Sequence, residues 1–520
     1  MIFWADKLGK QVIERENKLK RTKILRVESG IGASGIPHLG SASDAVRAWA
    51  VCLAIRDQGK NSELIAFSDD RDGLRKVPSG FPTTLKSEIG KPVSLIKDPF
   101  SCHASYSEHM SSLLIDALDR LGIEYKFQSG NVAYAKGMLD KQIDLALKNS
   151  DSIKKVIKDM LGQELVTVFF PICQRCERIY TTRVTGYENG KIIYSCDGEF
   201  EGKVEGKPLI VKGCGYKGEC TTKDGKLAWK VEFAARWAAL KICFEAYGKD
   251  IADSVRVNDW VSKNIFGWEP PIHAQYELFL QKSGAKISKS VGNVITPQQW
   301  LTCASPQSLN LLFYKRFVGT REIDLSSIPV YMDEVDRLER IWFGEEKVQN
   351  ERELAHLKRL FEYINYLNPP KKPHIHIAYH ILANIARITQ NKEIIRQILI
   401  DMGKIEPGKE SQDVEKRIEW VINWIGKQEK EKVKIGSAEA VPLLMLAEWL
   451  EKERSAEEIQ GKIFELAKSH GIQPPKLFEL VYAILLGSTR GPRAGKLIKI
   501  LGCKKVSEEI KKALSGPAGI

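Results

Sequence analysis

The stretch ILRVESGIGASGIPHLGSASD, residues 24–44, decides how the first part of the chain is interpreted. It begins like a strand and contains Gly30-Ile31-Gly32-Ala33-Ser34-Gly35, a literal GxGxxG. A dinucleotide site would also need an acidic residue about 20 positions further on, at the end of the second strand. Asp57 has that spacing but lies in the polar end of a predicted helix, and Asp69 and Asp70 lie too far along. The glycines alone are therefore weak evidence for a dinucleotide site.

Pro37-His38-Leu39-Gly40, which follows the glycines, favours a different ligand. Pro37 suits the start of a helix. That helix would direct its first N–H groups and His38 into the crevice above the strand ends, where a nucleotide phosphate can accept hydrogen bonds. The alternative interpretation is a solvated loop histidine beside tight-turn glycines.

The wider pattern predicts an α/β fold. KILRVESG, ELIAFSDD and IEYKFQSG read as strands, and SASDAVRAWAVCLAIRDQG and SYSEHMSSLLIDALDRLG read as helices between them. This alternation predicts a Rossmann-type parallel sheet over residues 1–160, interrupted by a cysteine-rich insertion at 161–228 and resumed over 229–340 with connecting helices. Apolar residues at spacings of three and four predict an all-helical domain over 341–520.

Composition limits the possible partners. The 520 residues are 43% hydrophobic and 28% charged, with a net charge of +13, which fits a polyanionic partner or a mildly basic soluble protein. No apolar run approaches the length of a membrane span, and the N-terminus lacks a signal-peptide core. We therefore expect a cytoplasmic protein without a membrane partner.

Half of the ten cysteines lie within residues 173–220. Four thiolates can hold a structural Zn²⁺ tetrahedrally, and such a metal would stabilise an insertion with little core of its own. The predicted ligands are Cys173, Cys176, Cys196 and Cys214, with Cys220 able to replace either of the last two; the alternative is free buried thiols. We expect the remaining cysteines to be simple core or surface residues, namely Cys52, Cys102, Cys243, Cys303 and Cys503.

A second motif, Lys286-Ile287-Ser288-Lys289-Ser290, lies in a glycine-bounded loop. Two lysines beside a serine can meet the charge that develops on a reacting triphosphate. Together, the His38 element and this segment resemble the HIGH and KMSKS signatures of class I aminoacyl-tRNA synthetases. SDDRDGLRKVP, DPFSCHASYSEHM and LLGSTRGPRAGKLIKILG extend the resemblance, over essentially the whole chain, to the class I lysyl-tRNA synthetases.

This resemblance implies a function. The family joins L-lysine and ATP to form lysyl-adenylate, with Mg²⁺, and transfers lysine to the 3′ end of tRNA(Lys); we expect a monomer. The helical half would be the anticodon-binding domain, which is also similar to that of glutamyl-tRNA synthetases, and Arg490, Arg493 and Lys496 would touch phosphate or a base there, or merely begin a surface helix. His374, His376 and His380 read as helix-start packing rather than a metal site.

The resemblance also assigns residue roles. Gly30 and Gly32 would line the amino-acid pocket with Trp229 and Tyr276; Ser34, Gly35, His38 and Gly40 would contact ATP; Lys286, Ser288 and Lys289 would hold the phosphates. A lysine pocket also needs an anion for the ε-ammonium group. Asp69, Asp70 and Asp72 offer carboxylates at a strand end, with Glu28 and Glu277 as further candidates and turn capping as the alternative.

The chain departs from the family pattern at a few positions. Ser41 follows Gly40 where the family often has Asn, Gly32 replaces a hydroxyl residue, Ile251 replaces a substrate-contacting His, and KISKS replaces the commoner KMSxS. Because of these departures, the sequence also allows two functions other than that of a lysine ligase. One is a class I ligase for another amino acid, glutamate above all, and the other is a tRNA-binding paralogue that has lost aminoacylation.

Overall fold

A five-stranded parallel sheet organises the N-terminal part of the chain, in the order β13-β12-β1-β2-β4. The computed structural model describes residues 3–77, 80–277, 279–280, 295–317, 319, 321–408, 411–427, 435–486, 489 and 493–515. The strands are β1 (Leu25–Ile31), β2 (Ser62–Ser68), β3 (Lys76–Val77), β4 (Lys126–Ser129), β5 (Phe169–Pro171), β6 (Arg183–Glu188), β7 (Lys191–Ser195), β8 (Glu199–Val204), β9 (Lys207–Lys212), β10 (Lys217–Cys220), β11 (Gly225–Leu227), β12 (Ile242–Gly248), β13 (Ile272–Tyr276), β14 (Phe279–Leu280) and β15 (Arg321–Glu322).

The helices follow in chain order. They are α1 (Trp4–Leu19), α2 (Leu39–Asp57), α3 (Tyr106–Leu121), α4 (Gly130–Ala135), α5 (Asp140–Lys148), α6 (Ser150–Leu161), α7 (Trp229–Leu240), α8 (Ala252–Asn264), α9 (Pro297–Leu301), α10 (Pro306–Tyr314), α11 (Ile328–Phe343), α12 (Glu351–Ile364), α13 (Tyr379–Ile388), α14 (Lys392–Asp401), α15 (Gln412–Gly426), α16 (Ser437–Trp449), α17 (Ala456–Ser469), α18 (Pro474–Leu486), α19 (Ala494–Leu501) and α20 (Cys503–Ser515). Short 3₁₀ helices cover Thr83–Glu88, Lys249–Ile251 and Leu325–Ser327.

The central sheet confirms the predicted Rossmann-type architecture. Strand β1 pairs in parallel with β2 on one side and with β12 on the other, so the strand order reverses beside β1. Ligands of open α/β sheets bind in the crevice at such a reversal, outside the carboxyl ends of the strands. Helix α2 covers the sheet and is buried over most of its length, which explains its nearly continuous apolar and small-residue sequence.

The insertion consists of short strands, as its sequence predicts. Strands β6, β7 and β10 form one antiparallel sheet, and β8 and β9 form a hairpin that pairs with β3. The turn between β6 and β7 is Asn189-Gly190, with φ of 51° and 80°. Such paired left-handed residues match the twist of a two-residue hairpin, and Asn-Gly adopts them readily.

The chain forms two compact units. The first contains residues 1–301, 306–324 and 341–370, and the second contains 302–305, 325–340 and 371–520. In the second unit, the apolar faces of α16 to α20 enclose a core that includes Leu446, Ile463 and Leu480. Among the described residues after 340, the regular elements are all helices, as the apolar spacing predicts, while the predicted domain limits remain predictions. Among the described residues, no helix is both long and apolar enough to cross a membrane.

Candidate active site

Helix α2 begins at the crevice, and His38 caps it. The Nδ1 atom of His38 accepts a hydrogen bond from the backbone N–H of Ser41 at 3.2 Å, which satisfies one of the free donors of the first turn. Gly40 makes this arrangement possible, because a Cβ atom there would lie 2.7 Å from Cε1 of the His38 ring. The ring is thus folded over the helix N-terminus, where a phosphate would meet it together with backbone N–H groups.

The segment that carries Lys286, Ser288 and Lys289 lies outside the described residues. The residue that follows this gap is nevertheless informative. The carbonyl of Ile295 accepts a hydrogen bond from the N–H of Leu39 at 3.0 Å, beside His38. The described chain just after the gap therefore meets the start of α2 at Ile295.

The glycine loop leads from β1 to α2. A Cβ atom built on Gly30 would lie 3.9 Å from Oδ2 of Asp69, so there is space on that side of Gly30. The N–H of Asp69 donates a hydrogen bond to the carbonyl of Ile31 at 2.9 Å. The carbonyl of Ser34 accepts from the Tyr106 hydroxyl at 3.2 Å. Gly35 is buried, and Gly32 is half-buried. The structure therefore brings Gly30 and Asp69 together at the strand end.

Asp69 belongs to a buried cluster around the Arg236 guanidinium of α7. Nη1 of Arg236 lies 2.7 Å from Asp69, Nε lies 2.9 Å from Glu28, and Nη2 lies 3.8 Å from Glu245. Burial, opposed by Arg236, raises the pKa of Asp69 to about 7 and that of Glu28 well above its usual value. Carboxylates with raised pKa values in a crevice are typical of functional sites.

Asp72 belongs to a second group. The ammonium of Lys226, on β11, lies 2.9 Å from Asp72 and also contacts Glu232 of α7. The hydroxyl of Tyr134 donates to Glu232 at 2.8 Å. Lys226 is nearly fully buried, so these carboxylates supply the charge that an ammonium group needs away from water.

Asp70 has a structural partner at the start of a helix. Its carboxylate accepts from the Ser129 hydroxyl at 2.5 Å and from the N–H of Asn131 at 2.6 Å. These bonds tie the end of β2 to the first turn of α4. Asp70 thus has the turn-capping role that was the alternative for these carboxylates, and Asp69 is the carboxylate that lies beside Gly30.

The two predicted aromatic residues lie at element ends. Trp229 is the first residue of α7, is 39% exposed and packs edge-on against Phe233, with ring centroids 5.6 Å apart. Tyr276 ends β13; its hydroxyl donates to Asp44 of α2, and the Arg47 guanidinium lies 4.7 Å from its ring centroid.

The predicted cysteine ligands come together in the insertion. The Sγ atoms of Cys173, Cys176, Cys196 and Cys214 all lie within 4.8 Å of one another, and the pairs Cys173–Cys214 and Cys176–Cys196 are separated by 3.6 and 3.7 Å. Tetrahedral zinc with bonds of about 2.3 Å places sulfur atoms about 3.8 Å apart. The four thiols therefore fit a structural zinc ion, and Cys220 is not part of this group.

A second group of metal-ligating side chains precedes α3, and sequence reasoning missed it. Asp98, Cys102, His103 and His109 bring their ligand atoms within 4.8 Å of one another. Cys102 Sγ lies 3.2 Å from Nδ1 of His103, 3.1 Å from Nδ1 of His109 and 3.3 Å from an Asp98 oxygen. Cys102, expected to be a simple core or surface residue, is exposed and belongs to this group, which could hold a metal ion. The signal was present in DPFSCHASYSEH, where Asp, Cys-His and His follow one another at short spacing.

Comparison with known proteins decides the family. Residues 2–366 match the family described as tRNA synthetases class I (K), and residues 425–514 match an anticodon binding domain. The chain belongs to the class I (K) tRNA synthetases. This synthetase is 44% identical, over 98% of both chains, to a protein of Cenarchaeum symbiosum named lysine–tRNA ligase. It is 30% identical to the protein of that name from Archaeoglobus fulgidus, over 99% of this chain and 100% of the relative. The corresponding Pyrococcus horikoshii protein is 31% identical, over 96% of this chain and 98% of the relative.

Two buried cations of this synthetase were not predicted from the sequence. Arg236 stands within the apolar helix WKVEFAARWAAL, and a charge at a buried helix position is the signal that would have marked it. Lys226 lies three residues before Trp229 in a short strand and carries no comparable signal. Ile251, which replaces the family histidine, ends a 3₁₀ helix and packs partly buried against the core.

Proposed function

We propose that this protein is a lysine–tRNA ligase, which activates L-lysine with ATP and transfers it to the 3′ end of tRNA(Lys). The observation that carries the choice of lysine is the charge of the crevice. The guanidinium beside Asp69, that of Arg236, is already met by three carboxylates, and the Arg75 guanidinium near Trp229 is engaged by the Tyr180 hydroxyl. A glutamate pocket would need an uncommitted guanidinium there, whereas an ammonium group meets an excess of negative charge.

The reaction follows from positioning and electrostatics. In the first step, a carboxylate oxygen of lysine attacks the α-phosphorus of ATP and pyrophosphate leaves, so no covalent bond to the enzyme is required. We propose that His38 and the N–H groups at the start of α2 contact the phosphates, together with Lys286, Ser288 and Lys289. Mg²⁺ would add positive charge at the departing pyrophosphate. In the second step, a ribose hydroxyl of the tRNA 3′ end attacks the lysyl carbonyl and AMP leaves.

The pocket itself combines apolar and acidic groups. Gly30, Trp229 and Tyr276 would border the lysine stem, and Asp69 and Asp72 would face its ammonium groups. The four clustered cysteines would hold Zn²⁺ in a closed structural site, because thiolates then occupy every tetrahedral position. The group of Asp98, Cys102, His103 and His109 offers a mixed ligand set that also suits zinc.

The tRNA partner fits the helical unit. Residues 425–514 match an anticodon binding domain, and Arg493 and Lys496 are exposed at the start of α19. Such cations can contact phosphates without reading a sequence. Arg490 lies outside the described residues. A monomer located in the cytoplasm remains a prediction.

The test is ATP–pyrophosphate exchange with each amino acid in turn. We expect exchange with lysine, and Lys289→Ala should lower it by about 100-fold or more, because a charge that meets the transition state is lost. Lys191→Ala, at an exposed lysine of β7, is the matched control and should leave exchange unchanged. Exchange with glutamate and not lysine would overturn the assignment, and tRNA binding without any exchange would favour the inactive paralogue.

A further inference from the structure

Glu28 lies beneath the crevice rather than in it. It is on β1, directly beside Glu245 of β12 in the strand register, and it is 0% exposed. Apart from the ion pair with Arg236, no hydrogen bond reaches either of its carboxylate oxygens from the described residues. A buried carboxylate in such surroundings is costly in its ionised form.

The charges around Glu28 do not balance. Glu28, Asp69 and Glu245 share one guanidinium, and the adjacent group of Asp72 and Glu232 shares the Lys226 ammonium. Among the described residues, five carboxylates thus share these two buried cations, and Arg75, beside the Tyr180 hydroxyl, acts on Asp72 as a third positive charge. Glu245 also interacts with His273, whose Nε2 atom is 2.8 Å from Asp259, and with Asp44, which Arg47 opposes.

Of the three carboxylates around Arg236, Asp69 is the one that faces the crevice. Asp69 uses Oδ1 for Arg236, while its Oδ2 atom lies on the Gly30 side. The Asp69 side chain is 22% exposed, whereas Glu28 is closed off from solvent. A cation that enters beside Gly30 would thus contact Asp69 directly and Glu28 only through the shared guanidinium.

We propose that Glu28 is a positioning residue for substrate recognition: the Glu28–Asp69–Glu245 cluster holds a proton in the free enzyme and releases it to solvent when the ε-ammonium group of lysine binds at Asp69. This inference rests on the proposed lysine–tRNA ligase function. The ammonium group replaces the proton as counter-ion, so charge balances. The proton belongs to the cluster rather than to one residue, because closely coupled acids titrate together.

The direction of the pH dependence follows from the environment of Asp69. Burial raises its pKa to about 7, Arg236 and Lys226 act in the opposite sense, and Asp72 and Glu232 raise it further. Glu245, which faces Trp237, His273 and Asp259, also has a pKa raised by burial. A bound cation favours the ionised form, so protons are released where the free cluster is still protonated. Lysine affinity should therefore rise from pH 6 to pH 8, by up to about tenfold per pH unit at the acid end, and then level off.

The cluster also explains how amino acids without an ε-ammonium group would be rejected. A glutamate carboxylate would meet further carboxylates and could not displace the proton. Norleucine, which has the length of lysine without its ε-ammonium group, would leave the cluster protonated. Specificity would thus come from a repulsive and an attractive element together.

Calorimetry of lysine binding to the full-length enzyme tests this inference. Binding enthalpies measured at one pH in buffers of different ionisation enthalpy give the number of protons released. For a pKa near 7, we expect about half a proton per lysine at pH 7, nearly one at pH 6 and almost none at pH 9. Norleucine should release none.

Variants locate the source of the proton. Glu28→Gln should reduce the proton release at pH 7 and flatten the pH profile of the KM for lysine. Glu63→Gln changes a carboxylate of β2 that pairs with Arg26 and is the matched control. It should leave the proton release and the pH profile of the KM for lysine unchanged. If Glu28→Gln does not fold, the buffer series on the unsubstituted enzyme decides alone.

The outcomes separate the two claims. Lysine binding without proton release at pH 6 and 7, or full release in folded Glu28→Gln, overturns the role of Glu28 and leaves the ligase function intact. Absence of both lysine binding and lysine-dependent exchange overturns the proposed function, and this inference with it.

Discussion

Two buried arginines of this molecule have opposite surroundings. Arg236, below the crevice, faces three carboxylates, and burial raises the pKa of each of them. Arg417, in the helical unit, binds Asp336 through two nitrogens at 2.5 and 2.9 Å. Burial opposes ionisation of Asp336, but hydrogen bonds from His376 and Arg417 lower its pKa below the usual value. Arg417 and Asp336 compensate each other's buried charge, whereas Arg236 faces more carboxylates than one guanidinium can neutralise.

Three acidic side chains of the helical unit, along one face of α11, each have a histidine partner. His380 lies 2.7 Å from Asp333, His376 lies 3.2 Å from Asp336, and His374 lies 2.8 Å from Glu339. Each histidine before or within the first turn of α13 thus has an acidic partner on α11. Among the described residues, these histidines are not part of a metal-ligating group, as their sequence setting predicts.

The largest effect is expected when the ion pair between Arg417 and Asp336 is broken. Arg417→Met should lower the free energy of unfolding of the helical unit by about 3–5 kcal/mol, because Asp336 would remain buried and ionised without its partner. Differential scanning calorimetry should show one transition at a lower temperature. Lysine-dependent pyrophosphate exchange by the folded protein should not change; a loss of exchange without a loss of stability would contradict the distinction drawn here.

Asp69→Asn should have the opposite effect to Arg417→Met: exchange activity falls while stability is kept. The substitution removes the carboxylate that would meet the substrate ammonium group, so we expect exchange at limiting lysine to fall by about 100-fold, equivalent to about 2.7 kcal/mol. The melting temperature should hardly change, since Arg236 keeps Glu28 and Glu245. Normal exchange in this variant would remove Asp69 from the binding site.

The pH dependence of stability should also differ between the two regions. The depressed pKa of Asp336 contributes stability that is present above about pH 4 and is lost as pH falls below that. The raised pKa of Glu28 acts with the opposite sign, because the folded state holds its proton more tightly and loses stability as pH rises. A tenfold difference in proton affinity corresponds to about 1.4 kcal/mol. Calorimetric scans from pH 3 to pH 8 should therefore show a smaller loss of stability toward acid pH in Asp336→Asn, and a smaller loss of stability as pH rises in Glu28→Gln.

The smallest expected effect concerns the start of α2. Gly40→Ala would place a Cβ atom against the His38 ring, so the ring must move and its hydrogen bond to Ser41 is lost. We expect about a tenfold fall in kcat for exchange and about 1 kcal/mol of lost stability. Ser41→Ala, which keeps the backbone donor, should behave like the unsubstituted enzyme.

Much of the fold could be predicted because its signals are local. The strand–glycine–helix order around residues 24–57, the hairpin at Asn189-Gly190 and the helices after residue 340 follow from periodicity and turn chemistry. The cluster of four cysteines was predictable because cysteines concentrated in one short segment stand out in the sequence. Of the competing fourth ligands, Cys214 joins the group and Cys220 does not.

The charge clusters could not be predicted because they depend on distant partners. Glu28, Asp69 and Glu245 are separated by many residues, and only the sheet register and the packing of α7 place them around Arg236. The same holds for Lys226 and Asp72. The roles assigned to Lys286, Ser288 and Lys289 remain predictions, since those residues lie outside the described part of the chain.

The bond between the Tyr106 hydroxyl and the carbonyl of Ser34 has a consequence for the cost of binding any ligand at the glycine loop. A loop rich in glycine is free to adopt many conformations, and a ligand that had to order it would lose affinity. Tyr106 is fully buried at the start of α3, between His103 and His109 in sequence. Because Tyr106 is itself fixed in the core, its bond to Ser34 limits the conformational freedom of the glycine loop before any ligand arrives. Part of the entropy that a ligand would otherwise have to remove is thus already removed by folding.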